Sequence, residues 1–413
     1  MSTSSARRHA PRRTSVILAA VLVPVALAAL VGMWLTWPGE PRSTVGQIVD
    51  VAAEYPSANV TATSVQSCEA TAEDRLADGT VPDSVECLKV SATVTSGSER
   101  GRAIQVWATA TLTPSDVPVG TDIVVERYPA TDTDGEVWAW HDFQRTVPLG
   151  TLALAFAIIT VLVAGARGLR ALVGLGIAFA IIGKYMLPGL LADQNALLIA
   201  LCGSTVIMVV VLYLAHGFSH RTSTALLGTL VGLGLTAGLG VLGADAAHLS
   251  GVTSEDSFRL AGLLGATGGT ALRGLFLCGV VMAGLGVLND VTITQASAVW
   301  ELRASSPEAS VRELVSRGMR IGRDHIASTI YTIAFAYTGA ALPVLLLVQV
   351  YQLPIGLTLT SGQFAEEIVR TLVGSIGLVL AIPLTTVIAA VVVTSSPVEG
   401  RHRTTDHARA HTH

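Results

Sequence analysis

The amino-acid sequence predicts a membrane all-α bundle of about eight transmembrane helices, with a small β-rich domain after the first helix. Two observations predict this class. Half of the 413 residues are hydrophobic and only 14% are charged, and apolar runs long enough to cross a bilayer recur along the chain. By contrast, the stretch that follows the first apolar run is polar and alternates in the manner of short β-strands.

The first apolar run is predicted to be a transmembrane anchor at residues 15–37, preceded by a cytoplasmic basic N-terminus at 1–14 that contains four arginines. A cleaved signal peptide has an apolar core of about 7–15 residues and a small-residue cleavage site. Here the run continues to Trp37-Pro38 without such a site. We therefore expect this helix to be retained.

Residues 38–146 are predicted to form an extracytoplasmic β-rich domain, either an OB-like barrel or a sandwich. Cys68 and Cys87 are the only cysteines outside the apolar runs. They lack CxxC spacing, which argues against a metal site, and an oxidising compartment favours a disulfide between them. Such a disulfide closes a loop of about 20 residues and is worth roughly 3 kcal/mol by loop-closure estimates.

The remaining apolar runs are predicted to form a seven-helix transmembrane domain at 147–394, followed by a disordered cytoplasmic tail at 395–413. Its spans are predicted at 148–165, 171–191, 196–215, 223–245, 272–292, 326–350 and 366–394. A cytoplasmic loop is predicted at 301–325. Arginines are concentrated on the segments assigned to the inside, whereas the short outer connections contain only Arg259. This asymmetry places both termini in the cytoplasm.

Arginine also far outnumbers lysine, since only Lys89 and Lys184 are lysines among the 26 basic residues. This bias, with abundant alanine, glycine and valine, is typical of a GC-rich bacterial source. The predicted location is therefore the bacterial cytoplasmic membrane, with the lipid bilayer as the first partner.

A polar stripe around Asp290 gives the candidate ion or substrate pathway. At 100° per residue, seven small or polar residues fall within about 40° of one line. They are Gly279, Ala283, Gly286, Asp290, Thr294, Ser297 and Glu301. Asp290, Thr294 and Ser297, with the neighbouring Asn289, are the predicted ligands, because an intramembrane acid needs a partner or water. The alternative is that Asp290 only caps the helix or pairs with Arg320 or Arg323.

Other charged residues in apolar runs have simpler interpretations. Lys184 is either a counter-ion inside the bundle or, as we favour, a side chain that extends to the outer headgroups. Glu366, Glu367 and Arg370 have the i, i+3 and i+4 spacing of a structural ion-pair group. One turn further, two glycines, Gly374 and Gly377, allow a close helix crossing.

Several function classes are disfavoured by missing motifs. The sequence has no Walker A motif, no Rossmann glycine fingerprint, no Ser-His-Asp order and no HExxH. We therefore predict no enzyme activity, no cofactor, no metal site and no nucleic-acid partner. One further pattern, the apolar stripe of Val311, Leu314, Val315, Gly318 and Ile321, indicates an amphipathic helix at the membrane surface or at a partner.

Four stretches of residues 45–394 together resemble the YibE/F family of bacterial multi-pass membrane proteins. They are KYMLPGLLADQNALLIALCGSTVIMVVVLYLAHGF, GLGVLNDVTITQASAVWEL, MRIGRDHIASTIYTIAFAYTGAALPVLLL and EEIVRTLVGSIGLVLAIPLTTVIAA. Two positions depart from the family pattern: Tyr331 replaces a common asparagine, and Asn289 replaces a second acid of some relatives. The resemblance implies a multi-pass fold and assigns no activity.

Two functional hypotheses follow. The first is a transporter or permease for an unidentified solute or ion, which accounts for the polar stripe and the glycine-rich spans. The alternative is a non-transporting membrane subunit or envelope-sensing component that works with a partner protein. A homo-oligomer or a partner subunit is compatible with both.

Overall fold

The computed structural model describes residues 10–39, 53–70, 74, 76, 79–109, 112–130, 135–192, 194–264, 268–352 and 354–395. The chain divides into two compact units, one made of residues 1–42 and 161–413 and the other of residues 43–160. Most of the predicted N-terminal segment 1–14 and nearly all of the predicted tail 395–413 lie outside the described residues.

The smaller unit contains a five-stranded antiparallel sheet. Its strands are β1 (Ser57–Glu69), β2 (Ser84–Val94), β3 (Ala103–Trp107), β4 (Asp122–Tyr128) and β5 (Val137–Phe143), in the order β3-β2-β1-β4-β5. The edge strands β3 and β5 also approach each other, so the sheet is strongly curved. Alternate residues such as Val90, Val106 and Ile123 form the core on the concave face.

The predicted disulfide between Cys68 and Cys87 is present. It connects β1 to β2, whose register pairs Gln66 with Cys87. Cys68 lies two residues beyond Gln66 and therefore on the same face of the sheet, which gives a Cα–Cα distance of 5.8 Å. The neighbouring strands thus position the two cysteines for bonding.

Arg127 on β4 is the centre of a charge cluster in the same unit. Its guanidinium binds Glu54 at 2.8 Å, Glu99 at 3.2 Å and Glu136 at 2.7 Å. It also stands over the ring of Trp138, 5.7 Å from the centroid. Hydrogen bonds from Arg127 hold the pKa values of Glu54 and Glu136 below their ordinary range. The cluster therefore connects the segment before β1 with β4 and with the start of β5.

The rest of the described chain is helical. The helices are α1 (Ala10–Leu35), α2 (Thr146–Ile181), α3 (Leu187–Leu191), α4 (Ala196–His216), α5 (His220–Ala246), α6 (Glu255–Leu264), α7 (Gly268–Ser305), α8 (Val311–Val350), α9 (Ile355–Leu359) and α10 (Gly362–Ser395). A π-helical turn, Ile182–Met186, joins α2 to α3. Within the described residues, seven helical segments are long and apolar enough to cross a membrane.

The difference between this number and the predicted eight arises in Thr146–Leu191, an apolar segment of 46 residues in which two helices meet at a kink. The prediction divides it into spans at 148–165 and 171–191 with a loop between them. The structure divides the segment at the predicted end of the first of these spans, where Gly165 leaves helical geometry with φ 59° and ψ −140°, whereas the predicted loop residues 166–170 are helical. A positive φ costs glycine little, so a single residue accommodates the break.

The predicted cytoplasmic loop 301–325 is also mostly helical. Only residues 306–310 separate α7 from α8. Ser310 and Glu313 form a capping box that starts α8, with Ser310 accepting a hydrogen bond from the backbone of Glu313. Leu314 and Gly318, members of the predicted surface stripe, are buried. These two residues pack into the bundle, whereas Val311 and Ile321 of the same stripe are exposed.

Helices α5, α7 and α10 form the centre of the bundle because glycines let them approach closely. A Cβ atom on Gly377 of α10 would overlap Thr236 Oγ1 of α5, and one on Gly228 would overlap Thr385 Oγ1. By contrast, a Cβ atom on Gly374 would meet no atom within 4 Å. The two glycines predicted to permit a close crossing therefore differ: Gly377 lies at the contact and Gly374 does not.

Helix α1 packs against α4. Gly32 lies against the buried Cys202. Thr36 Oγ1 is 2.7 Å from the buried Tyr185 hydroxyl, and Trp37 stacks on the same ring at 5.8 Å. Helix α1 is thus a member of the bundle.

The helices alternate in direction, so the connections collect at two ends of the bundle. Ser15 near the start of α1 is 2.8 Å from His220 at the start of α5. We call this end, with residues 306–310, the first end. The opposite end holds Asn195, which caps α4, and the connection from α8 to α10. We call it the second end.

The Gly377 contact predicts a difference between two nearby alanine variants. Gly377→Ala is expected to lower the unfolding free energy by about 1–3 kcal/mol, because the methyl group overlaps Thr236. Gly374→Ala is expected to be neutral or to stabilise by up to about 1 kcal/mol through helix propensity. Thermal unfolding of the purified protein in detergent measures both. Equal effects would contradict the close crossing.

The Arg127 cluster predicts acid sensitivity of the sheet. A lowered folded-state pKa means that Glu54 and Glu136 stabilise the fold above their ordinary pKa of about 4.3 and lose this contribution as the pH falls through the folded values. Hydrogen exchange of the β4 and β5 peptides is expected to accelerate below about pH 4. In the Arg127→Gln variant, these peptides should exchange faster at pH 7, and their exchange rate should change less on acidification. An unchanged pH profile in this variant would refute the role of the cluster.

Candidate functional site

Asp290 lies on an open face of α7. Its side chain is 74% exposed, and its ion pair is with His325 of α8, at 3.9 Å from Nε2. It does not pair with Arg320 or Arg323, the partners that the alternative interpretation named. Thr294 donates its hydroxyl to the Asp290 carbonyl, and Ser297 donates to the Ile293 carbonyl, both at 2.7 Å. These hydroxyls are therefore engaged with their own helix.

The two other predicted pathway residues have different environments. Asn289 is half-buried, and its Oδ1 atom is buried without a hydrogen-bond partner among the described residues. Lys184 is exposed in the π-helical turn, whereas the adjacent Tyr185 is buried. Lys184 therefore lies on the outer surface of the bundle. Whether either residue takes part in a pathway stays a prediction.

A buried polar group occupies the other face of α7. Gln295 is 2% exposed and donates from Nε2 to the Gly318 carbonyl at 2.9 Å and to Thr386 Oγ1 at 2.7 Å. One turn earlier, Thr292 Oγ1 is 2.5 Å from Thr229 Oγ1 of α5. These contacts connect α7 to three other helices. They are the polar interactions inside the bundle that the sequence interpretation missed.

The sequence does contain a signal for this buried face, namely the spacing of Thr292 and Gln295 relative to apolar neighbours. Leu288, Thr292, Gln295 and Val299 follow one another at three or four residues and are all buried. The sequence interpretation centred the stripe on the acid and so selected the more exposed face. In a helix with polar residues on several faces, the apolar residues show which face is buried.

The first half of α8 docks tightly on this buried group. A Cβ atom on Gly318 would lie 2.9 Å from Thr386 Cγ2, and one on Gly322 would lie 2.6 Å from Ile382 Cγ2. The Gln295 amide also lies within 3.4 Å of the Gly322 position. Two glycines, one helical turn apart, thus bring α8 against α7 and α10.

The second half of α8 is much more open. In α8, which the structure describes completely, the last buried residue is Ile333. Beyond it, a groove of about 300 Å³ separates α8 from the start of α10. Its lining is mostly apolar and includes Tyr337, Thr338, Leu345, Phe364, Glu367 and Thr371. The groove opens toward the second end of the bundle.

Glu367 belongs to a group of charged side chains that borders this groove. Its Oε2 atom accepts a hydrogen bond from Arg370 at 2.5 Å. The Arg370 guanidinium stands over the ring of Phe276 of α7, 5.5 Å from the centroid. Glu366 is buried, and its Oε1 atom has no hydrogen-bond partner among the described residues. Of the predicted ion-pair group, Arg370 therefore pairs with Glu367 and not with Glu366.

An apolar layer lies between the two charged levels. Ile333 and Leu378 form its buried centre, with Val287 packed against it. Val291 and Ile382 of the same cluster lie at the level of Asp290. On α7, Gly279 contacts Arg370 and Asp290 contacts His325. These two positions are separated by about 16 Å of helix. Helices α7, α8 and α10 thus carry charges at two heights with apolar packing between them.

The buried amide predicts that the two faces of α7 respond differently to substitution. Gln295→Leu leaves the Gly318 carbonyl without its donor and is expected to lower the unfolding free energy by about 1–3 kcal/mol. Thr294→Ala, on the open face, is expected to change it by less than about 0.5 kcal/mol. Thermal unfolding in detergent compares them. A larger loss for Thr294→Ala would contradict the assignment of the buried face.

Comparison with known proteins agrees with the architecture. The family model described as YibE/F-like protein matches residues 152–395, which is more than half of the chain. The match includes the π-helical turn, the docking glycines of α8 and both charged levels. No curated protein and no solved structure matches the chain. The chain belongs to the YibE/F-like protein family.

Proposed function

We propose that the chain is embedded in the bacterial cytoplasmic membrane and acts as a permease for a small solute or ion. The proposed passage runs between α7, α8 and α10. One observation carries this proposal: these three helices bear two charged levels separated by an apolar layer. The proposal assigns no catalytic step to the chain.

The energetic cost of charge in hydrocarbon supports a polar passage. A charged residue at the centre of a membrane helix costs about 2.5–3.5 kcal/mol on insertion scales. The exposed Asp290 and the Glu367–Arg370 pair lie within apolar helices of the kind that cross a bilayer. Water or a polar solute between the helices would offset that cost, and such residues commonly mark transport pathways.

The unequal packing of α8 supports movement of this helix. Its first half is held by Gly318 and Gly322, whereas its second half borders the open groove. A helix fixed at one end and free at the other can close the groove by a small rotation about the fixed end. The apolar layer at Ile333 would then act as a gate between the two charged levels.

The proposed orientation places the first end of the bundle in the cytoplasm. The start of α1, the connection from α4 to α5 and residues 306–310 share that end, and arginines are abundant near all three. The sheet unit would then be extracytoplasmic, where its disulfide is chemically favoured. The strand order also suits an OB-like barrel better than a sandwich.

The alternative, a non-transporting subunit or sensor, has less support. It relied on the apolar stripe at the start of α8 as a surface for a partner. Leu314 and Gly318 of that stripe are buried against α7 and α10. Part of that surface is therefore occupied within the chain, while Val311 and Ile321 stay exposed, and we prefer the permease.

The permease proposal predicts that the charge of Asp290 is required. In vesicles that contain the purified protein and a mixture of monovalent cations and small metabolites, solute loss is expected and can be measured by mass spectrometry. Asp290→Asn should abolish this flux while changing thermal stability little, since the side chain is exposed. Glu301→Gln, on the same helix near the first end, serves as the matched control and should retain flux.

The opposite pattern would support a structural role. If Asp290→Asn retains flux but lowers the melting temperature, and removal of His325 in the same chain recovers part of the loss, then Asp290 only stabilises helix packing. Absence of flux from the unmodified protein would refute the permease itself.

A further inference from the structure

The group formed by Glu366, Glu367 and Arg370 has an excess of negative charge. Two carboxylates share one guanidinium, and only Glu367 is paired with it, at 2.5 Å. Glu366 is 9% exposed, and its Oε1 atom has no partner within the described part of the chain. A buried carboxylate without a counter-ion is unfavourable, so the site as it stands lacks one positive charge.

Neighbouring helices do not supply that charge. The α7 residues nearest Arg370 are Phe276 and Gly279, which are uncharged. Arg273, the next basic residue on α7, is bound to Asp245 of α5. On α8, the groove wall opposite Glu367 consists of Tyr337, Thr338 and apolar residues. A cation from outside the chain is therefore the simplest way to balance the group.

The groove defines what kind of cation fits. Its volume of about 300 Å³ is that of a small ligand site. Its walls are mostly apolar and include the aromatic residues Tyr337 and Phe364 together with Glu367. A carboxylate flanked by aromatic rings suits an ammonium group, which each ring also attracts through its π face. A hydrated metal ion would find few oxygen ligands in such walls.

We infer that the groove between α8 and α10 binds a monovalent organic cation, an ammonium group on an apolar body, through Glu367. On binding, Arg370 leaves Glu367 and pairs with Glu366, one helical turn away. This exchange needs only a change of side-chain rotamer, because a glutamate four residues before an arginine lies within its reach on a helix. All four charges are paired afterwards. The inference rests on the proposed function, because it names the class of solute that would use the proposed passage.

Binding to the purified full-length protein in detergent tests the inference without any transport step. The probe is phenethylammonium chloride, compared with its neutral analogue 2-phenylethanol by isothermal titration calorimetry. We expect the ammonium to bind at least ten-fold more tightly than the alcohol. Equal affinities would overturn the inference, because the carboxylate would then contribute nothing.

Glutamine variants distinguish the ion-pair exchange from a simple attraction between the ammonium group and Glu367. Glu367→Gln should weaken ammonium binding at least ten-fold. Glu366→Gln should weaken it by a similar factor, since Arg370 then has no second carboxylate and stays on Glu367. Full affinity in Glu366→Gln would refute the exchange. Glu301→Gln, far from the groove, is the charge-matched control and should bind normally. If Glu367→Gln does not fold, Tyr337→Leu should still weaken binding several-fold.

Two further outcomes are decisive. A lipid that co-purifies in the groove and is not displaced by the ammonium, as seen by native mass spectrometry, would show a lipid site and overturn the inference. Ammonium binding without flux in vesicles would support the inference and refute the permease. Flux that phenethylammonium does not inhibit, together with no ammonium binding, would support the permease and refute the inference.

Discussion

The close approach of α5, α7 and α10 is the constraint on which the rest of the bundle depends. It exists because glycines face threonines, as where Gly377 lies against Thr236 and Gly228 against Thr385. Between apolar helices in lipid, the hydrophobic effect contributes little to association, so backbone proximity and buried hydrogen bonds must supply it. The Gln295 amide adds such bonds to α8 and α10. Helices α4 and α8 then pack on opposite sides of this centre.

This arrangement also explains why the charged groups lie where they do. The tightly packed centre admits hydroxyls and the Gln295 amide but few charges. Most of these groups bond to a neighbour or to their own helix, whereas Thr224 Oγ1 and Thr385 Oγ1 have no partner among the described residues. The Asp290–His325 pair lies on the exposed side of α7, beside the docked half of α8. The Glu367–Arg370 pair instead borders the groove where α8 separates from the bundle. Loose packing and ionisable side chains coincide there. A passage for a polar solute requires this combination, because a charged side chain is stable within the bundle only where water or a ligand can reach it.

Much of the fold was predictable from residue patterns, and the failures have physical causes. The disulfide and the long apolar helices followed from composition and spacing. The division of Thr146–Leu191 near Gly165 followed as well, but its form did not, because a single glycine takes the place of the predicted loop. The amphipathic helix that starts at Val311 was predicted as a separate surface helix, and its continuation into the apolar span up to Val350 was missed. Around Asp290, the sequence showed several polar directions, and only tertiary packing identified Thr292 and Gln295 as the buried ones.

The contact between Thr36 and Tyr185 has a consequence for the biogenesis of the protein. These residues are 149 positions apart, and the whole sheet unit is synthesised between them. At translation rates of roughly 5–20 residues per second, α1 leaves the ribosome about 7–30 s before Tyr185 is available to pack against it. During that interval, Gly32 and Thr36 lack their partners. The first helix must therefore persist as a solitary apolar segment until α4 is synthesised.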